Sequence, residues 1–247
     1  MTDILILIGV GVTAGVINTL AGGGSLITLP VLIFLGLPGV EANATNRVAI
    51  MSQNIFAVAG FKSKKVDLPS PYIYYLTISS FLGGIAGTFI ALWFPDHSFN
   101  QMLSIIMILV AISIIKKPKH IHVDEIVTDK RSIILGTVGF FFLGIYGGFL
   151  QAGIGFLTIV LLNRLNGLSL VKSNYIKVFV ALVYTGIAML IFAYMGKIHW
   201  VTGLTMAIGQ GAGAWWASRW SVAKGDKWLR PIIVVAVIVL AVKLWFF

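Results

Sequence analysis

Two glycine-rich breaks interrupt otherwise apolar stretches of the chain, Ala21-Gly22-Gly23-Gly24-Ser25 and Gln151-Ala152-Gly153-Ile154-Gly155. Helix N-termini formed at such breaks bring unpaired N–H groups and the positive end of the helix dipole to one place, and glycine lets a ligand approach the backbone closely. That combination binds anions. In the first break Gly22, Gly23, Gly24 and Ser25 would form the cradle, with the side chains of Asn18 and Thr19 beside it. Gln151, Gly153 and Gly155 would form its mirrored half. The competing reading is that the glycines only let two hairpin arms pack tightly.

Two cations stand at the starts of apolar runs, Arg47 and Lys177. Each is either a charge that attracts substrate or a side chain that snorkels to the membrane surface. Asn46 lies beside Arg47, and Asn43, Gln53, Asn54 and Asn174 add neutral donors along the path, although capping explains Asn43 and Asn174 equally well.

Other chemistry is missing from the pattern. The chain has no cysteine, which removes disulfides, thiolate metal sites and cysteine nucleophiles together. Its four histidines fall in loops or at helix ends, and His120-x-His122 reads as a solvated loop. No nucleotide loop, metal-ligand cluster or nucleophile–base pair is recognisable, so neither a cofactor nor an enzymatic activity is expected. All eight carboxylates sit in loops or near the ends of apolar runs, which leaves no acidic relay for protons. An anion leaving a cell gains about 2.3 kcal/mol per 100 mV of membrane potential. Export down that gradient without a proton partner is therefore the expectation.

The elements that position these residues follow from composition. Hydrophobic residues make up 58% of the 247 positions and charged residues 11%, against about 25% charged in a soluble domain. The bilayer is the natural solvent for such a chain. Apolar runs cover 45–61, 72–93, 99–115, 132–150, 178–195, 200–218 and, more briefly, 231–244. All must be helical, because lipid satisfies no backbone polar group. Three adjacent glycines cost about 1 kcal/mol each in a helix, so 4–35 and 150–162 are expected to break and fold back as hairpins.

A shift of 131 residues lays Gly22 on Gly153, Gly24 on Gly155, Asn43 on Asn174 and Phe61 on Phe192. It sets Lys177 opposite Asn46, next to Arg47. The chain thus reads as two repeats, 1–115 and 132–247, joined by a basic cytoplasmic linker, 116–131. The net charge of +10 reads as membrane orientation, not nucleic-acid binding. With Lys62, Lys64 and Lys65 inside, the linker and Arg219–Arg230 also fall inside if each broken segment is a hairpin. Each repeat then makes three full crossings plus a hairpin, both termini lie outside, and the odd number of crossings inverts the second repeat. Inverted repeats with paired broken elements mark secondary transporters, whose site lies near the midplane between the repeats. The Gly11/Gly15, Gly83/Gly87, Gly144/Gly148 and Gly209/Gly213 pairs fit close helix contacts. Trp215, Trp216, Trp220 and Trp228 fit an interfacial belt.

The stretch from Ala14 to Leu26, followed by Leu29-Pro30, together with Ala42-Asn43-Ala44-Thr45-Asn46-Arg47 and the segment Gly147 to Gly155, resembles the TauE/SafE sulfite exporter family, also called the toluene sulfonyl uptake permease family. The Gly-Gly-Gly-Ser block carries most of the specificity. The resemblance covers essentially the whole chain. It implies a multi-pass transporter in the bacterial cell or inner membrane, moving sulfite, sulfonates such as sulfoacetate, or related sulfur-containing anions. One departure is Asn174-Tyr175-Ile176-Lys177, where a plain repeat would give another Thr-Asn-Arg-like turn. The expected partners are a small anion and the lipid bilayer, with a homodimer allowed and no nucleic acid. An anion channel of the same architecture, or a carrier of another small organic anion, is the alternative.

Overall fold

The computed structural model describes residues 2–68, 71–115 and 129–224. Most of the linker, the final apolar run at 231–244, His120, His122 and Trp228 lie outside the described residues. Among those described, every regular element is a helix. The first half holds α1 (Thr2–Ala21), α2 (Ser25–Phe34), α3 (Gly39–Ser63), α4 (Tyr72–Leu92) and α5 (Asp96–Ile115), and the second holds α6 (Lys130–Phe149), α7 (Ile154–Asn166), α8 (Leu170–Tyr194) and α9 (Trp200–Lys224).

The boundaries have local causes. Asp129 caps α6 by accepting the Ser132 N–H at 3.2 Å, and Ser169 caps α8 through the Lys172 N–H at 3.4 Å. Backbone positions with positive φ recur at the offset seen in the sequence: Gly22 with Gly153, Gly36 with Gly167, and Lys65 with Gly196. Gln151, at φ 64°, is the one such residue without a counterpart among the described residues. α3 and α8 match residue for residue at this offset, each with 25 residues.

At both breaks the chain turns back. A Cβ on Gly24 would strike the Ala14 carbonyl and Asn18 Cβ, which places the start of α2 beside the last turns of α1. The arms are unequal: α1 and α6 have 20 residues each, whereas α2 has 10 and α7 has 13. The long arm exists because nothing interrupts its apolar run before the glycines.

Small residues set the packing. Gly11 and Gly15 lie against Met206 and Gln210, while Gly213 lies against Val12 and Val16, so α1 and α9 run in the same direction. Gly83 meets Phe141 and Ile145, and Gly148 meets Gly84, which makes α4 and α6 the matching pair. The four glycine pairs therefore bring backbones together, as small residues do in membranes. α3 runs along α9 in the same sense: Thr45 lies by Gly203, Ser52 donates to the Ala207 carbonyl at 2.9 Å, and Gly60 abuts Ser218. α3 and α8 oppose each other, with Phe61 stacked on Tyr175 at 5.4 Å and Met51 beside Gly186.

The outer surface is apolar, with Leu5, Ile78, Ile134, Phe142, Leu190, Val201 and Ile208 all exposed. Four described helices are long and apolar enough to cross a bilayer, over Ile4–Ala21, Tyr72–Leu92, Lys130–Phe149 and Leu170–Tyr194. α3 is as long as α8 but more polar, because its Asn43, Asn46, Arg47, Gln53 and Asn54 are all buried inside the bundle.

Candidate functional site

The polar faces of α3 and α8 meet at the ends of the two hairpins. There Asn18, Ile50, Gln53, Asn54, Gln151, Ile154, Gly155, Lys177, Val178, Ala181 and Tyr184 line a small internal cavity. Its free volume is about 10 Å³, room for no more than one water. The cavity is closed to anything larger.

Amides and one ammonium dominate its polar lining. Asn18 Nδ2 donates to Gln53 Oε1 at 2.7 Å, and Gln53 Nε2 donates to Asn54 Oδ1 at 3.3 Å. Asn18 Oδ1 in turn accepts the Gly24 N–H at 3.3 Å, tying the first break to the cavity wall. From the other side Gln151 Nε2 donates to Thr185 Oγ1 at 2.9 Å. Lys177 Nζ donates to the carbonyls of Asn18 and Thr19 at 2.8 and 3.0 Å and to Asn174 Oδ1 at 2.7 Å. Among the described residues, no carboxylate lines the cavity. It holds fixed positive charge and neutral donors, the electrostatics an anion requires.

Gln151 holds a left-handed backbone that L-residues adopt at a cost of about 1–2 kcal/mol. The bond to Thr185 and burial of its side chain hold it there. Strain of this kind is found at binding sites.

Of the residues singled out in the sequence, Asn18, Gln53, Asn54, Gln151, Gly155 and Lys177 reach the cavity. Thr19 contributes a carbonyl to Lys177. Gly22, at φ 82°, is pressed against Gly155, and Gly155 also leaves room for the Lys177 stem. Gly24 is spent on the turn back to α1, the Gly23 carbonyl accepts the Leu26 N–H, and Ser25 is buried as the first residue of α2. Gly153 packs against Val110 of α5. Asn46 is buried, with no hydrogen-bond partner for its Oδ1 among the described residues. Arg47 is fully buried but lies away from the cavity lining. Its Nη1 donates to the Gly147 carbonyl at 2.5 Å and its Nη2 to Gly148 at 2.9 Å and Asn43 Oδ1 at 3.3 Å. The guanidinium also lies 5.7 Å from the Phe192 ring centroid.

Tyr184, Ile50 and Ala181 were not singled out. Tyr184 carried a signal, because the 131-residue offset places it on Gln53. A second, larger groove of about 790 Å³ opens at the side of α3, α8 and α9, but its lining from Val48 and Met51 to Trp200 and Trp215 is nearly all apolar. It offers an anion nothing.

A buried, donor-rich cavity inside an apolar-surfaced helical bundle defines a class, the multi-pass membrane transporter. Residues 7–244 match the family model for the sulfite exporter TauE/SafE, and the chain belongs to that family. The probable membrane transporter protein YfcA of Escherichia coli (strain K12) is 30% identical over 247 residues, covering 97% of this chain and 88% of that protein. The probable membrane transporter protein ORF9 of Sinorhizobium sp. is 28% identical, covering 94% of this chain and 88% of that protein. A probable membrane transporter protein of Haemophilus influenzae is 29% identical, covering 97% and 93%. No solved structure matches the chain. The family is one of transporters, not of enzymes.

Proposed function

We propose that this chain exports small sulfur-containing anions, sulfite or organosulfonates of the sulfoacetate kind, across the bacterial inner membrane. The observation that carries this reading is the buried Lys177 ammonium in a cavity lined by amide side chains and, among the described residues, by no carboxylate. α7 begins at the cavity wall with Ile154 and Gly155, so its N-terminal dipole adds to the attraction. Asn18, Gln151, Gly155 and Lys177 form the binding set, with Thr19, Gly22, Gly23, Gly24, Ser25 and Gly153 shaping the two turns behind it. Arg47 and Asn46 stand one layer further out.

In this reading the two halves, 1–115 and 132–247, are inverted repeats about the cavity, each a hairpin with three further crossings. The antiparallel pairing of α3 with α8 and the equivalent pairs α1–α9 and α4–α6 support it. Both termini then face outside. Free space for no more than about one water favours a carrier over a channel, which would need a continuous path.

The test is flux of labelled sulfite and sulfoacetate through liposomes holding the purified protein at a set membrane potential. Potential-dependent flux that Lys177→Gln abolishes is the expected result. A folded protein that moves neither compound overturns the cargo assignment.

A further inference from the structure

The two cations make equivalent contacts on opposite sides of the cavity. Arg47 holds the Gly147 and Gly148 carbonyls, and Asn43, one turn earlier, donates to Phe149 at 2.8 Å. Lys177 holds the Asn18 and Thr19 carbonyls, and Asn174, three residues earlier, donates to Leu20 at 3.2 Å. Each set takes three successive carbonyls at the C-terminal end of the other half's long hairpin arm, α6 in one case and α1 in the other. Carbonyls at a helix end carry the negative end of the dipole and mostly lack an intrahelical partner, although that of Asn18 also accepts the Gly22 N–H at 2.9 Å. A cation with a neighbouring amide is the chemistry that closes them. Each half therefore latches the other.

The latches lie at different depths. Gln53 and Tyr184, related by the offset, both line the cavity. Arg47 precedes Gln53 on α3 by about 9 Å, and Lys177 precedes Tyr184 on α8 by about 10.5 Å, at 1.5 Å per residue. Because α3 and α8 run antiparallel, these displacements point in opposite directions. The Arg47 latch closes the side that carries Glu41 and His199. The Lys177 latch closes the side that carries Lys62, Lys64 and Lys172. Both are shut: the Arg47 latch lies outside the cavity lining, and the Lys177 ammonium forms part of it.

We propose that these two latches are the two gates of transport, released one at a time. This rests on the transporter reading above. An anion entering from one side exchanges its oxygens for the helix-end carbonyls on the nearer cation, which frees the tip of the corresponding hairpin arm. The other latch stays shut. The exchange moves no proton and needs no carboxylate. Arg47 and Asn43, outside the cavity lining, are in this account positioning residues for the α6 arm, while Lys177 serves both gate and site.

The native absence of cysteine makes the test direct. A single Ala181→Cys reporter on the cavity wall is reconstituted in liposomes of defined orientation and exposed to a membrane-impermeant methanethiosulfonate reagent from either side. With both latches intact it labels slowly from both. Adding Arg47→Gln raises the rate by about tenfold or more, the effect of a population shift of that size, only from the side of Glu41. Adding Lys177→Gln does so only from the side of Lys62. Arg47→Lys keeps labelling slow. If Arg47→Gln fails to fold, Asn43→Ala, which removes the milder half of the same latch, replaces it. Labelling raised from the same side by both variants, from both sides at once, or by neither overturns the proposal. Labelling needs no substrate, so sided access without sulfite flux upholds the gates and removes only the cargo. Sulfite flux with unchanged labelling removes the gates and leaves the transporter.

Discussion

Gly22 and Gly155 meet backbone to backbone where the two hairpins turn, Gly22 with φ at 82° and Gly155 in the first turn of α7. A Cβ on either would overlap the other's Cα, so the halves touch at a point where no side chain fits.

Gly22→Ala and Gly155→Ala should each destabilise the protein by at least about 2 kcal/mol, since a backbone must move and, at Gly22, a left-handed conformation must hold a Cβ. Gly9→Ala is the control: nothing lies within 4 Å of its added Cβ, and helix propensity favours alanine. Thermal melts in detergent should show lower midpoints for the first two and no loss for the third. Equal behaviour of all three would remove the contact as a constraint.

Lys177→Gln should lower anion flux by about tenfold or more, because the only cation lining the cavity among the described residues is lost. Lys197→Gln, at a part-buried ion pair with Glu41 (3.4 Å) away from the cavity lining, should leave flux unchanged. The comparison is made at one membrane potential in liposomes of equal protein content. A similar loss for both would point to bulk charge, not to the site.

Asn43→Ala and Asn174→Ala should cost about 1–2 kcal/mol each, the penalty for leaving a buried carbonyl unpaired. The sites lie on opposite sides of the cavity, so the double variant should show the sum within about 0.5 kcal/mol. Unfolding in detergent measures all three.

A pH dependence is expected at Glu41, ahead of the apolar run of α3. His199 donates to its carboxylate at 2.9 Å and, with Lys197 nearby, holds its pKa below the usual carboxylate value. A group whose folded pKa is lowered contributes stability above its unfolded pKa, and that stability is lost as pH falls through the lower folded value. Glu41→Gln should therefore cost up to about 1 kcal/mol at neutral pH, and its melting point should converge on the parent's in acid. A constant difference down to about pH 3 would place the effect elsewhere.

Flux should follow voltage and ignore a pH gradient imposed at fixed voltage, because among the described residues no carboxylate or histidine lines the cavity to carry a proton. Ionophore-clamped liposomes separate the two forces. Flux that tracked the pH gradient would require a proton path through groups outside the cavity.

The membrane solvent, the two glycine breaks, the 131-residue offset and many helix limits were legible in the sequence. However, α3 and α8 begin at Gly39 and Leu170, ahead of the apolar runs at 45 and 178, so Arg47 and Lys177 lie two turns inside their helices and not at their starts. Lipid rejects charge and unpaired backbone, so apolar runs and their interruptions are written locally. The glycine pairs were legible too, since close approach demands small residues wherever the partner lies. The tertiary structure alone decided what the polar residues do. Arg47 and Lys177 looked alike as charges at helix starts, yet one is sealed against the end of α6 while the other reaches the cavity. Gly22 looked like part of an anion cradle, yet its open face is taken by Gly155. These outcomes depend on contacts between residues about a hundred or more positions apart. No local pattern records which helix end a buried cation will meet, because that is set by how antiparallel α3 and α8 bring the hairpins together.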